Sequence, residues 1–241
     1  LNGIMGVSKK KEIWEMKKIG MLVAVEINAV LEDFGSLIEK VNKNGFDIYH
    51  YQIETSDVYI IHSGAGQLSA AAATQLLISV YEVEMVLNFG VVGGLTEEMA
   101  LSKSCVVEKV VHYEYDTTTI DHCKVGQYVD LFEDEFIPTT PWLVDIACKV
   151  YPELKRVNCA SGDKFVDGKE KKQELHNAFN CDICEMEAAA IALTCFRSKV
   201  PCLLIKTVSD AITGGAEDFV ANVNATAKIC LEIMKQVMAQ L

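Results

Sequence analysis

The chain has 241 residues, half of them apolar, and a formal net charge of −12. That charge argues against a nucleic-acid partner, whose phosphates need lysine and arginine patches. No uninterrupted apolar stretch reaches membrane-spanning length, so the reading is of a soluble, cytoplasmic protein with no membrane contact.

Residues 1–15, LNGIMGVSKKKEIWE, carry a basic cluster at Lys9–Lys11 and no apolar signal-peptide core. They read as a tag or loose extension, and residues 16–241 as a single domain opening at Met16. Ile19–Val25 is a short buried-strand candidate. Glu26–Val41 places apolar residues near helical spacing, including Val30, Phe34, Leu37 and Ile38, so a helix is expected. Phe46–Ile53 and Val58–His62 read as strands of a hairpin or meander. Gly64–Val80 reads as helix, Met85–Phe89 and Cys105–Tyr115 as strands, and Thr117–Pro141 as a long loop. Leu143–Val150, Lys169–Phe179, Ala188–Arg197 and Phe219–Leu241 follow as helices. Between them lie strands at Arg156–Ser161, Asp182–Glu185 and Cys202–Val208. This alternation implies crossovers and a largely parallel sheet, with some antiparallel pairing in the β-rich stretches.

The nine cysteines are an odd number scattered through apolar runs, and they read as reduced thiols. Cys181 and Cys184 form a lone C-x-x-C with no second pair or histidine cluster, so no metal is expected. The acidic loop with Asp116, Asp121, Asp130 and Asp134 lacks the glycine and terminal glutamate of a calcium loop and reads as a solvated lid.

Ligands of open α/β sheets bind beyond the carboxyl ends of the strands. Six strand ends here carry glycines or ionisable groups: Glu26-Ile27-Asn28, Ser63-Gly64-Ala65-Gly66, Gly90-Val91-Val92-Gly93-Gly94, Ser161-Gly162-Asp163-Lys164-Phe165, Glu185-Met186-Glu187 and Ser209-Asp210. Each has a plain alternative. The glycines fit tight turns, Ser209-Asp210 fits a helix N-cap, and one of the two glutamates fits a first-turn helix carboxylate. A carboxyl partly desolvated at a strand end would instead have a raised pKa and act as a general acid.

The segments SGAGQLSAAAATQLLI, NFGVVGGL, SGDKFVDG, CEMEAAAIA and VSDA, in this order, resemble the nucleoside phosphorylase/nucleosidase superfamily. The branch they are most similar to is the methylthioadenosine/S-adenosylhomocysteine nucleosidases. The resemblance runs from Met16 to Leu241. It implies a three-layer α/β/α fold with a central mixed, partly barrel-like sheet, and a homodimer. It implies cleavage of the N-glycosidic bond of a small purine nucleoside, without a cofactor, or with phosphate as co-substrate if the enzyme is a phosphorylase. On this resemblance Asp210 protonates the leaving base and Ser209 positions it. Glu187 grips the ribose hydroxyls, with Met186 on the ribose face and Glu185 beside it. Phe165 stacks on the base and the backbone at Val166 reads its edge. Ala65, Gly90 and Val91 lie against the substrate near the reacting carbon.

The departures gather around the nucleophile. The family's first-loop glutamate, which orients or deprotonates water, is Asn28 here, with Glu26 nearby in a different register. A serine of the glycine loop is Val91, and an arginine before the Ser-Asp pair is Lys206. A phenylalanine of the 5′-substituent pocket is replaced near Ala216, where Phe219 could compensate. An amide such as Asn28 does not titrate as a base but can hold a water or an oxyanion, and Lys206 could be a phosphate point charge. The arginines that phosphorylases place in the first loop and before the glycine loop are Asn28 and Asn88 here, which favours hydrolysis. Phosphorolysis and a binding-only homologue remain the alternatives.

Overall fold

The computed structural model describes residues 17–241, so the extension read at 1–15 and the start at Met16 lie outside the described residues. In chain order the elements are β1 (Lys17–Val23), α1 (Ile27–Asp33), β2 (Leu37–Lys43), β3 (Phe46–Ile53), β4 (Ser56–His62), α2 (Gln67–Val80), β5 (Met85–Gly94), β6 (Ser104–His112) and α3 (Thr118–Asp121). There follow β7 (Phe136–Pro138), α4 (Pro141–Val150), β8 (Lys155–Ser161), α5 (Lys169–Phe179), β9 (Ile183–Glu185), α6 (Ala188–Ser198), β10 (Cys202–Asp210) and α7 (Ala216–Met238).

All ten strands join one mixed sheet. β5 pairs in parallel with both β1 and β10, and β1 pairs in parallel with β4. The path β10-β6-β8-β9-β5 returns to β10, which closes these five strands into a barrel. β4, β3 and β2 extend the sheet from β1, the last two as antiparallel neighbours. One face is covered by α1, α4 and α7, whose Val30, Val144 and Met234 share a core with Met21 and Phe89. The other carries α2 and α6, where Leu77 and Ile191 pack against Leu22 and Val208. The result is the three-layer arrangement with a partly barrel-like sheet. Every residue of β5 and β10 is buried. A strand covered on both faces has no solvent side to present, which is why both are largely apolar, interrupted by Asn88 in β5 and by Lys206, Thr207, Ser209 and Asp210 in β10.

Two expectations are corrected. The long first helix stops at Asp33, and Leu37–Lys43 is a strand. The competing signal is Asn44-Gly45, whose positive φ values of 53° and 87° make the tight turn that folds β2 back onto β3. The glycine segment after Phe89 is not a turn. Val91 and Val92 stay in β5 opposite Thr207 and Val208, so the strand runs on to Gly94. Asp116, Asp121, Asp130 and Asp134 are exposed, as a solvated loop requires. That loop contains the short α3 and is pinned by the parallel stack of Tyr115 on Tyr128, with ring centroids 4.3 Å apart.

Candidate active site

A cavity of about 580 Å³ opens where β1, β5, β9 and β10 end. Its walls include Glu26, Ala65, Val91, Gly93, the segment Lys164–Val166, the run Cys184–Glu187, Ser209, Asp210 and Phe219. Of the residues singled out from sequence, Ala65, Val91, Phe165, Val166, Glu185, Met186, Glu187, Ser209 and Asp210 meet here. Gly90 lies just behind, beneath the Glu26 carboxylate and the Lys206 ammonium. Asn28 does not join them. It is exposed on the first turn of α1, away from the cavity wall.

Glu26 occupies the place expected of Asn28. It precedes α1, and its side chain makes no capping bond to that helix. Instead the buried carboxylate turns into the cavity, where Oε1 accepts the Val91 N–H at 2.8 Å and Oε2 accepts the Val25 N–H at 3.0 Å. Two backbone donors hold its carboxylate in one rotamer.

Glu185 and Glu187 have separate tasks. Glu185 closes β9, and its carboxylate accepts the N–H groups of Glu187 and Ala188 at 2.9–3.0 Å, capping α6. The same carboxylate receives the buried Lys206 ammonium at 3.2 Å. The helix-dipole account therefore fits Glu185. Glu187 faces the cavity, and its Oε1 accepts the Gly66 N–H at 2.8 Å. Burial, reinforced by the charge of Glu185, pushes the Glu187 carboxyl up to about 8. Burial works against the Lys206 charge, but Glu185, Glu187 and Glu26 around it hold the ammonium protonated.

Ser209 and Asp210 are positioned by an irregularity in β10. The pairing with β5 passes from Val208–Val92 to Asp210–Gly93, leaving Ser209 as an extra residue. Such a bulge re-aims the side chains around it. Asp210 is buried, and burial raises its carboxyl above the usual aspartate range although the Lys172 ammonium and the Ser209 hydroxyl pull it down. Ser209 donates to Asp210 Oδ1 at 2.8 Å. Gly93 is required opposite them, since a Cβ there would sit 3.0 Å from Cys184 Sγ and 3.2 Å from Asp210 Oδ2.

At the mouth the Phe165 ring is partly exposed and meets Phe219 edge-on, with centroids 5.6 Å apart. All nine cysteines are free, and burial pushes the Cys184 thiol up to about 12, which leaves it unreactive. Among the described residues no group of three or more His, Cys, Asp or Glu side chains is arranged to hold a metal ion, and no helix is long and apolar enough to cross a membrane. Sequence reasoning named Glu26 at a strand end but gave the water-orienting position to Asn28, and it missed Lys172 altogether.

A five-strand barrel extended by a mixed sheet, with a carboxyl-lined cavity at its strand ends, defines the nucleoside phosphorylase-like class of α/β proteins. Residues 18–241 match the family model of the phosphorylase superfamily, and the chain belongs to that superfamily. It is 31% identical to the aminodeoxyfutalosine nucleosidase of Helicobacter pylori over 81% of this chain and 86% of that one. It is also 31% identical to the 5′-methylthioadenosine/S-adenosylhomocysteine nucleosidase of Shewanella loihica over 80% of this chain and 86% of that one. The crystal structure of the Helicobacter pylori methylthioadenosine/S-adenosylhomocysteine nucleosidase complexed with a substituted pyrrolidin-3-ol superposes with a TM-score of 0.88 at 28% identity, over 94% of this chain and 99% of that one. These relatives are nucleosidases.

Proposed function

We propose that the chain hydrolyses the N-glycosidic bond of a purine nucleoside of the methylthioadenosine or S-adenosylhomocysteine type. The observation that carries this reading is the convergence of Asp210, Glu187, Glu26 and Phe165 on one cavity. Cleavage of a C–N glycosidic bond passes through an oxocarbenium-like sugar. The departing base needs a proton and the cation needs negative charge nearby. Asp210, its carboxyl raised by burial, gives the proton to the base nitrogen. Glu187 holds the ribose hydroxyls against Met186 and, when ionised, faces the cation. Phe165 provides an aromatic platform for the base, and the backbone at Val166 reads its edge.

Glu26 replaces Asn28 in this reading as the group that orients the attacking water and takes its proton. Each of its oxygens already holds one N–H and has a lone pair left for a water. The balance is one water consumed, with its hydroxyl on the anomeric carbon and its proton on Glu26, while the Asp210 proton leaves with the base. Hydrolysis is favoured over phosphorolysis because Lys206 is already enclosed by Glu26, Glu185 and Glu187. A phosphate dianion entering there would find that ammonium already paired with the Glu185 carboxylate.

The homodimer belongs to the same proposal, supported by Leu68, which is 86% exposed next to the Ala65-Gly66 segment. So does a cytoplasmic location. Chromatography of methylthioadenosine reactions tests the chemistry: wild type releases adenine, and Asp210→Asn reduces the rate at least about 10²-fold. Full activity in Asp210→Asn removes Asp210 from its role. Sedimentation of the purified chain tests the dimer.

A further inference from the structure

Lys172 stands on α5 with its side chain fully buried and its ammonium turned to Asp210 rather than to solvent. It donates to Asp210 Oδ2 at 2.7 Å, to the Ala211 carbonyl at 2.7 Å and to the Asp210 carbonyl at 3.2 Å. Three N–H groups meet three acceptors, as a buried ammonium requires. The other carboxyl oxygen, Oδ1, accepts from Ser209, its one donor among the described residues. That hydroxyl has a second acceptor within reach, the Val92 carbonyl at 3.3 Å.

We propose that Lys172 is a positioning residue for the acid: by occupying Oδ2 it reserves Oδ1 for the reacting proton, and its charge keeps Asp210 able to release that proton to the leaving base. The role goes beyond the hydrolytic reading above and rests on it. An ammonium has no lone pair, so the oxygen it touches stays the more anionic and the proton partitions to Oδ1. When the proton is there, the Ser209 hydroxyl turns to Val92. The groups facing Asp210 are Lys172 from α5, Ser209 on β10 itself, Asp218 from α7 and, across Gly93, Cys184 from β9. Among the described residues Lys172 is the one cation facing it, and it opposes burial with a full charge.

The sign of the effect follows. Asp210 acts in its protonated form, so activity falls as pH rises through its titration. Without the neighbouring positive charge the carboxyl keeps its proton to higher pH. In Lys172→Met the alkaline limb of kcat/KM for methylthioadenosine therefore moves up by about one pH unit or more, and the maximal rate drops at least about tenfold because the acid is weaker and less firmly held. Lys172→Arg retains the charge and returns the limb toward its wild-type position. A folded Lys172→Met with an unmoved limb overturns the proposal. If Lys172→Met does not fold, Lys172→Arg decides: a folded arginine variant whose limb moves alkaline contradicts the account. If wild type cleaves no nucleoside, the hydrolytic reading fails by itself. The Lys172 effect is then read by carbon-13 NMR titration of the Asp210 carboxyl, which the account places at higher pH in Lys172→Met and which equal titration in the two proteins would overturn.

Discussion

The carboxylate of Glu26, at the end of β1, accepts the backbone N–H of Val91 in the middle of β5 at 2.8 Å. The bond ties the first strand to the strand that forms the floor of the cavity, and it fixes a carboxylate where the proposed reaction needs a water-binding group. In Glu26→Gln the amide oxygen still accepts the Val91 N–H, but the Val25 N–H loses its acceptor and the basic group is gone. The rate of base release is expected to fall by about 10²- to 10⁴-fold, far more than the modest drop in melting temperature accounts for. Asn28→Ala, on the exposed first turn of α1, leaves the rate near wild type. Single-turnover assays of both variants check the pair, and the reverse order of effects would return the role to Asn28.

Glu187 makes stability depend on pH. Its carboxyl is pushed from the ordinary 4.5 to about 8 in the folded chain, burial being the main cause. Between those values the folded state keeps a proton that the unfolded state has lost. Stability contributed by this group therefore declines as pH rises across the window. Glu187→Gln does not titrate. The melting temperature of wild type relative to Glu187→Gln is expected to fall from the acidic to the alkaline end of the window, and a constant difference would contradict the shift.

Gly93 faces Asp210 and Cys184 at close range. Gly93→Ala puts a methyl 3.2 Å from Asp210 Oδ2 and 3.0 Å from Cys184 Sγ. Overpacking of this kind costs about 1–3 kcal/mol, measurable by urea denaturation. The same methyl displaces the acid, so turnover falls more than stability alone explains.

Lys206 balances a buried cluster of carboxylates. Lys206→Met leaves Glu185 without its 3.2 Å partner and removes the one positive charge between Glu26 and Glu187. Breaking a buried pair from one side costs about 3–5 kcal/mol. Chemical denaturation reads this directly, and a neutral result would mean that the carboxylates relax into water.

Much of the architecture was legible because its signals are local. β5 and β10 are buried on both faces and open with mostly apolar residues, and most of the ionisable residues at the strand ends meet at the cavity. What failed locally was decided by turns and by tertiary position. The apolar spacing of Leu37 and Ile38 suits a helix, but the Asn44-Gly45 turn pairs that segment with β3. Asn28 matched the family's spacing. Two residues apart around a helix start, however, Glu26 and Asn28 point in different directions, and only Glu26 turns inward. Lys172 sits among Lys169 and Lys171 in a polar helix that reads as a solvated face. Nothing in that run marks which lysine turns inward to Asp210.

Hydrolysis in this cavity is decided by incubating the chain with methylthioadenosine in phosphate-free buffer and again with added phosphate, and quantifying free adenine and the sugar product. A hydrolase releases adenine equally in both, with an unphosphorylated sugar. Adenine released only with phosphate, together with a sugar phosphate, would contradict hydrolysis.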